Sequence, residues 1–68
     1  MNIACTNTMV AADVRAVLST YGVSAAHEQG PYLNAPTIWV IVDVILHGDK
    51  EMAIRRAISQ IGGAWLHD

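Results

Sequence analysis

A single cysteine, Cys5, leaves this 68-residue chain with no intrachain disulfide. Basic residues are almost as scarce. Arg15, Lys50, Arg55 and Arg56 stand against six acids, for a formal net charge of −2. Binding nucleic acid through its phosphates calls for a clustered basic footprint, which four cations in this arrangement do not make. The opening "MNIACTNTMV" lacks the basic start and long apolar run of a secretory signal. The longest apolar run, Ile38 to Leu46, is nine residues and is interrupted by Asp43, where a membrane helix needs about 20. The chain reads as cytoplasmic, with neither nucleic acid nor membrane among its partners.

Motifs that carry chemistry are equally sparse. The histidines His27, His47 and His67 sit in no ligand-spaced pattern, and there is no Cys-x-x-Cys or His-x-x-x-His, so no metal site is assigned. The cysteine pair that metal-carrying domains of related topology place before their first helix is reduced here to Cys5, in "CTNTM". Strand alternation turns Cys5 inward, away from any histidine base. The acids Asp13, Glu28, Asp43, Asp49, Glu51 and Asp68 form no close pair for acid–base work. "GG" at 62–63 follows a helix and cannot place a helix N-terminus on a phosphate. No catalytic residue and no cofactor follow from these residues, and a non-enzymatic protein is the expectation.

What the chain does have is apolar residues. Hydrophobic types make up 53% of it and charged types only 15%. A chain this short buries about 60% of its unfolded surface, and its core leaves about 3–5 kcal/mol net. The composition therefore describes one small domain, residues 1–68, with more apolar side chains than its own interior accommodates.

The pattern along the chain predicts six elements. Met1–Thr6 alternates as a short strand. Asn7 and Thr8 are N-cap candidates for a helix over Thr8–Tyr21, whose stripe is Val10, Val14, Val17, Leu18 and Tyr21, closed by Gly22. Ser24–Gln29 is a weak strand, and "GPYLNAP" is a turn flanked by prolines, which suits a sheet edge. Thr37–His47 is the strong strand. Asp49 is the N-cap candidate for a helix over Asp49–Ile61, with Ile54, Ala57, Ile58 and Ile61 as its stripe. After "GG", Ala64–His67 forms a last strand. This β-α-β-β-α-β order, with right-handed crossovers, predicts an α+β ferredoxin-like two-layer sandwich: an antiparallel sheet, order 4-1-3-2, with two helices on one face. The expected core is Ile3, Val14, Leu18, Val40, Val42, Val44, Ile54, Ile58 and Ile61.

The strong strand raises the functional question. Its even positions, Ile38 to Leu46, are aliphatic without a break and belong against the helices. Its odd positions put Trp39, Ile41, Asp43 and Ile45 on the open face, with Trp65 beyond the first strand. Between the tryptophans the first strand supplies only Asn2, Ala4 and Thr6, a floor of small side chains between aromatic walls. An apolar patch of this kind on a small protein marks an association site, and tryptophan is enriched among interface hot spots. The expected binding residues are Trp39, Ile41, Asp43, Ile45 and Trp65, in an adaptor, regulator or inhibitor that binds a protein partner, a second copy of itself, or both. Two copies stacking their open faces would need Asp43 at the rim, or against Asn2, Thr6 or His47. The chain's size and lack of catalytic motifs also suit an inhibitor of a host complex carried by a phage or mobile element. The alternative is a small-ligand or metal-sensing regulatory domain of the same fold.

Overall fold

The computed structural model describes residues 1–67. The first strand, β1, is Asn2–Cys5, and the first helix, α1, is Thr8–Thr20. Asn7 starts that helix: its side-chain oxygen accepts from the Val10 N–H at 2.9 Å, satisfying one of the donors a helix start leaves open. The helix closes through a paired C-terminal motif, with Gly22 N–H donating to Ser19 C=O at 2.9 Å and Val23 N–H to Leu18 C=O at 2.8 Å. This closure needs a left-handed residue, and Gly22 supplies it at φ 75°. It also folds Val23 back beside Leu18, and both are buried in the core.

Strand β2 is Ala26–Gln29, β3 is Ile38–Val42, helix α2 is Gly48–Ser59 and β4 is Ala64–His67. All pairings are antiparallel and the order is β2-β3-β1-β4, the expected ferredoxin-like arrangement. Gly63 makes the last turn possible. At φ 88°, a Cβ there would stand 2.5 Å from Thr6 Oγ1, so the α2–β4 turn packs directly on the end of β1.

One cluster holds the fold together. Ile3 and Cys5 of β1 and Ile38, Val40 and Val42 of β3 meet Ala11, Val14 and Leu18 of α1 and Ile54 and Ile58 of α2. All ten of these side chains are buried. Alternation therefore sends the other side chains of β1 and β3 to the face away from the helices.

The largest departure from the pattern is the length of β3. It runs Ile38–Val42, not to His47. Val42 N–H donates to Met1 C=O and Asp43 N–H to Ala25 C=O, and beyond these pairings neither neighbouring strand accompanies it. On the β2 side, Ala26 N–H turns back to Ser24 C=O, so that chain has already curled away. An aliphatic run without ladder partners cannot remain a strand. Val44, expected in the core, is consequently 42% exposed, while Leu46 packs partly against the core from the loop. Helix α2 also ends before Ile61, which is half-buried in the turn that follows. Its N-cap is His47, without a side-chain capping bond. Asp49 instead lies in the first turn with Glu51, where both favour the positive helix end. The first two strands lose a residue or two at their ends, β1 at Met1 and Thr6 and β2 at Ser24 and Ala25.

Candidate functional site: the open face of the sheet

The registers place the open-face side chains in two ranks running from β2 to β4. One is Gln29, Trp39, Ala4, Trp65, and the other is His27, Ile41, Asn2, His67. Three of the five residues expected to bind, Trp39, Ile41 and Trp65, are on this surface. Trp39 and Ile41 are half-buried in the middle of the sheet, and Trp65 is 57% exposed at its margin.

The expected groove between aromatic walls is not there. The Trp39 and His67 rings meet edge to face, with centroids 5.5 Å apart and planes at 87°. They stand on β3 and β4, so the contact spans β1 between them. Beneath it Ala4 is only 9% exposed although it points away from the helices. Thr6 lies beyond the end of β1 against Gly63 and takes no part in a floor. The tryptophan closes its own groove, and the result is a shallow, continuous aromatic and histidine-bearing surface.

Asp43 follows the last residue of β3 at the rim of this face. Its Oδ2 accepts from His27 Nδ1 at 2.8 Å, so the donor is His27 and none of Asn2, Thr6 or His47. With Nδ1 as the donor, His27 Nε2 is the acceptor that Gln29 Nε2 approaches at 3.4 Å. Both members of this hydrogen-bonded pair are about half exposed, so the pair orients the two side chains and adds little stability. Ile45 leaves the site altogether. It sits in the β3–α2 loop, 83% exposed, and borders a shallow cavity of about 410 Å³ with Val44, His47 and Lys50 against the Gly22–Ala25 turn.

The β2–β3 connection does not cover the face. Tyr32 and Ala35 exchange backbone hydrogen bonds at 2.9 and 3.1 Å, forming a tight turn with Leu33 wholly exposed at its tip. Tyr32 is itself more than half exposed and its ring lies beside Gly30.

The titratable groups do not converge. Cys5 is buried on the helix side, and burial pushes its thiol up, with the Glu28 carboxylate adding to the shift. A thiol held protonated in this way is a poor nucleophile. Among the described residues, no three His, Cys, Asp or Glu side chains are grouped to hold a metal ion. No helix among them is long and apolar enough to cross a membrane.

Sequence reasoning missed His27 and Gln29, and with them Asp43's partner. Their place depends on the register across the 30–37 connection, which nothing in the composition of β2 announces. His67 falls on the open face by alternation, but its contact with Trp39 needs a diagonal across β1. Comparison of the chain with protein-family profiles, with curated proteins and with solved structures finds no match.

Proposed function

We propose that this chain is a small protein-interaction module whose open sheet face, centred on Trp39, Ile41 and Trp65, is its binding surface. The observation that carries this reading is two half-buried apolar side chains in mid-sheet with an exposed tryptophan beside them. Burying one large apolar side chain contributes about 1.5–3 kcal/mol, against an association cost of at least about 4 kcal/mol. Trp39 and Ile41 are already half-buried and each contribute less than this, so several anchors on one face are required where any one alone fails. The polar surround, Asn2, Gln29 and the His27–Asp43 pair, suits the rim of an interface, where such groups stay in contact with water. The role is then that of an adaptor, regulator or inhibitor, acting by occupying a surface of another protein. A second copy stacked face to face is favoured by one specific feature. Asp43 stands at the rim on His27, so the two-fold axis of such a pair need not oppose two bare carboxylates.

The test is a pair of charge insertions on opposite sides of the molecule. Ile41→Lys places a cation in the middle of the open face, and Met52→Lys places one on an exposed position of α2. With the binding partner identified by capture and then purified, Ile41→Lys should abolish binding and Met52→Lys should leave it intact. Equal binding by both variants, each shown to be folded, would remove the open face from the account.

A further inference from the structure

The sheet has two edges, and they are not protected alike. On β2 the Ala25/Asp43 hydrogen bond fixes the alternation, so Ala26 and Glu28 are the residues whose main-chain groups turn outward. Ala26 is already engaged: its N–H donates to Ser24 C=O at 2.9 Å, and Arg15 Nη1 reaches its carbonyl at 3.5 Å. Glu28 carries a charge on the helix side of the same edge, and Pro31 follows shortly after. An inward-side charge and a nearby proline are devices that discourage a further strand from adding.

Strand β4 has none of these. Thr6 N–H donates to Gly63 C=O at 3.0 Å, so Ala4/Trp65 and Asn2/His67 are the hydrogen-bonded pairs with β1. Ala64 and Leu66 therefore turn their main-chain groups outward. Ala64 N–H folds back to Ile61 C=O at 3.3 Å, which leaves Ala64 C=O and both groups of Leu66 facing out, unpaired among the described residues. Residues 64–67 include no carboxylate, lysine, arginine or proline.

We propose that a second copy of this chain pairs along β4, antiparallel about a two-fold axis at Trp65, joining the two sheets into one of eight strands. In this register the free Leu66 N–H and Ala64 C=O meet, while Leu66 C=O stays at the surface because Ala64 N–H is held by Ile61 C=O. Leu66 N–H of each copy donates to Ala64 C=O of the other, so Leu66 stands opposite Ala64 and Trp65 opposite its own mate. Position 65 is then a non-hydrogen-bonded pair, the closer kind in an antiparallel ladder, and a favourable place for two aromatic rings. On the helix side the half-buried Ala64 and Leu66 of each copy meet those of the other. The same operation on β2 is unfavourable: an axis at Glu28 opposes two carboxylates, and one at His27 opposes two histidines that already hold Asp43. The two open faces become continuous across the new ladder. The pairing stands independently of which protein that face binds.

The experiment is a charge exchange at position 65, read by sedimentation equilibrium from micromolar to millimolar concentration. Wild type should dimerise. Trp65→Glu alone and Trp65→Lys alone, which place like charges across the axis, should each weaken the dimer at least about tenfold, and an equimolar mixture of the two should recover it. Amide exchange supplies the second reading: the Leu66 N–H should slow as concentration rises, while the Glu28 N–H on the other edge should not. A wild type that stays monomeric, or a mixture that fails to recover association, overturns the proposal. A dimer abolished by Ile41→Lys and retained by Trp65→Glu would overturn edge pairing while leaving the open face as the binding surface.

Discussion

Strand β3 alternates between two environments residue by residue. Ile38, Val40 and Val42 are buried under the helices, whereas Trp39 and Ile41, no less apolar, are only half-buried on the side the helices leave open. The lesson is that burial here is decided by what stands opposite a side chain and hardly at all by its own chemistry. The helix side meets α1 and α2. The open side meets only its neighbours in the sheet, and it recruits His67 across β1 to cover part of Trp39. The two faces should therefore answer mutation in opposite ways, the first through stability and the second through association.

The sharpest way to break the comparison is to truncate one isoleucine on each side. Ile54→Ala, under full burial, should cost about 2–5 kcal/mol, most of what a domain of this size has. Ile41→Ala should cost about 1 kcal/mol, in proportion to the smaller area it removes from water. Urea unfolding followed by circular dichroism measures both, and equal losses would mean that the open face is part of the core.

Trp39 sharpens the comparison. Its ring meets that of His67 edge to face, and such a pair contributes about 0.5–1.5 kcal/mol beyond area. A double-mutant cycle over Trp39→Ala and His67→Ala should return a coupling in that range. No coupling would mean that the two rings do not support one another in solution.

The limits of legibility follow from the same contrast. Element order, sheet order and seven of the nine expected core positions are local patterns, and Ile3, Val14, Leu18, Val40, Val42, Ile54 and Ile58 were readable as buried from periodicity alone. Val44 was not, because a strand's length is set by its neighbours, and β2 curls away at Ala26 while the aliphatic alternation continues to Leu46. Ile45 was misplaced on the face for the same reason. Val23 fell outside every predicted element, but it is buried as the residue folded back by the closure of α1. The His27–Asp43 bond and the Trp39–His67 contact join residues distant in the chain, and only the register reveals them.

Smaller effects come from the rim and from the thiol. Asp43→Asn should cost no more than about 1 kcal/mol, since both partners of the pair are half exposed, and thermal melts at low salt would detect it. Cys5 has a folded pKa above its unfolded value, so the folded state holds its proton more tightly. The resulting stability is fully present below the unfolded pKa, about 8.5, and is lost as pH rises beyond it toward the folded value. Melting midpoints of the wild type should fall on that alkaline side, and Cys5→Ala should remove that part of the slope.

The measurement closest to the central claim is hydroxyl-radical footprinting of the chain in extract of the cells that encode it, against the purified chain at low micromolar concentration. Tryptophan and methionine are both reactive, and the molecule carries them on opposite sides, Trp39 and Trp65 on the open face and the exposed Met9 and Met52 on the helices. Protection of both tryptophans in the extract, with Met9 and Met52 unchanged, is the predicted result. Protection of the methionines with both tryptophans unchanged would contradict it, and would place the binding surface on the helices.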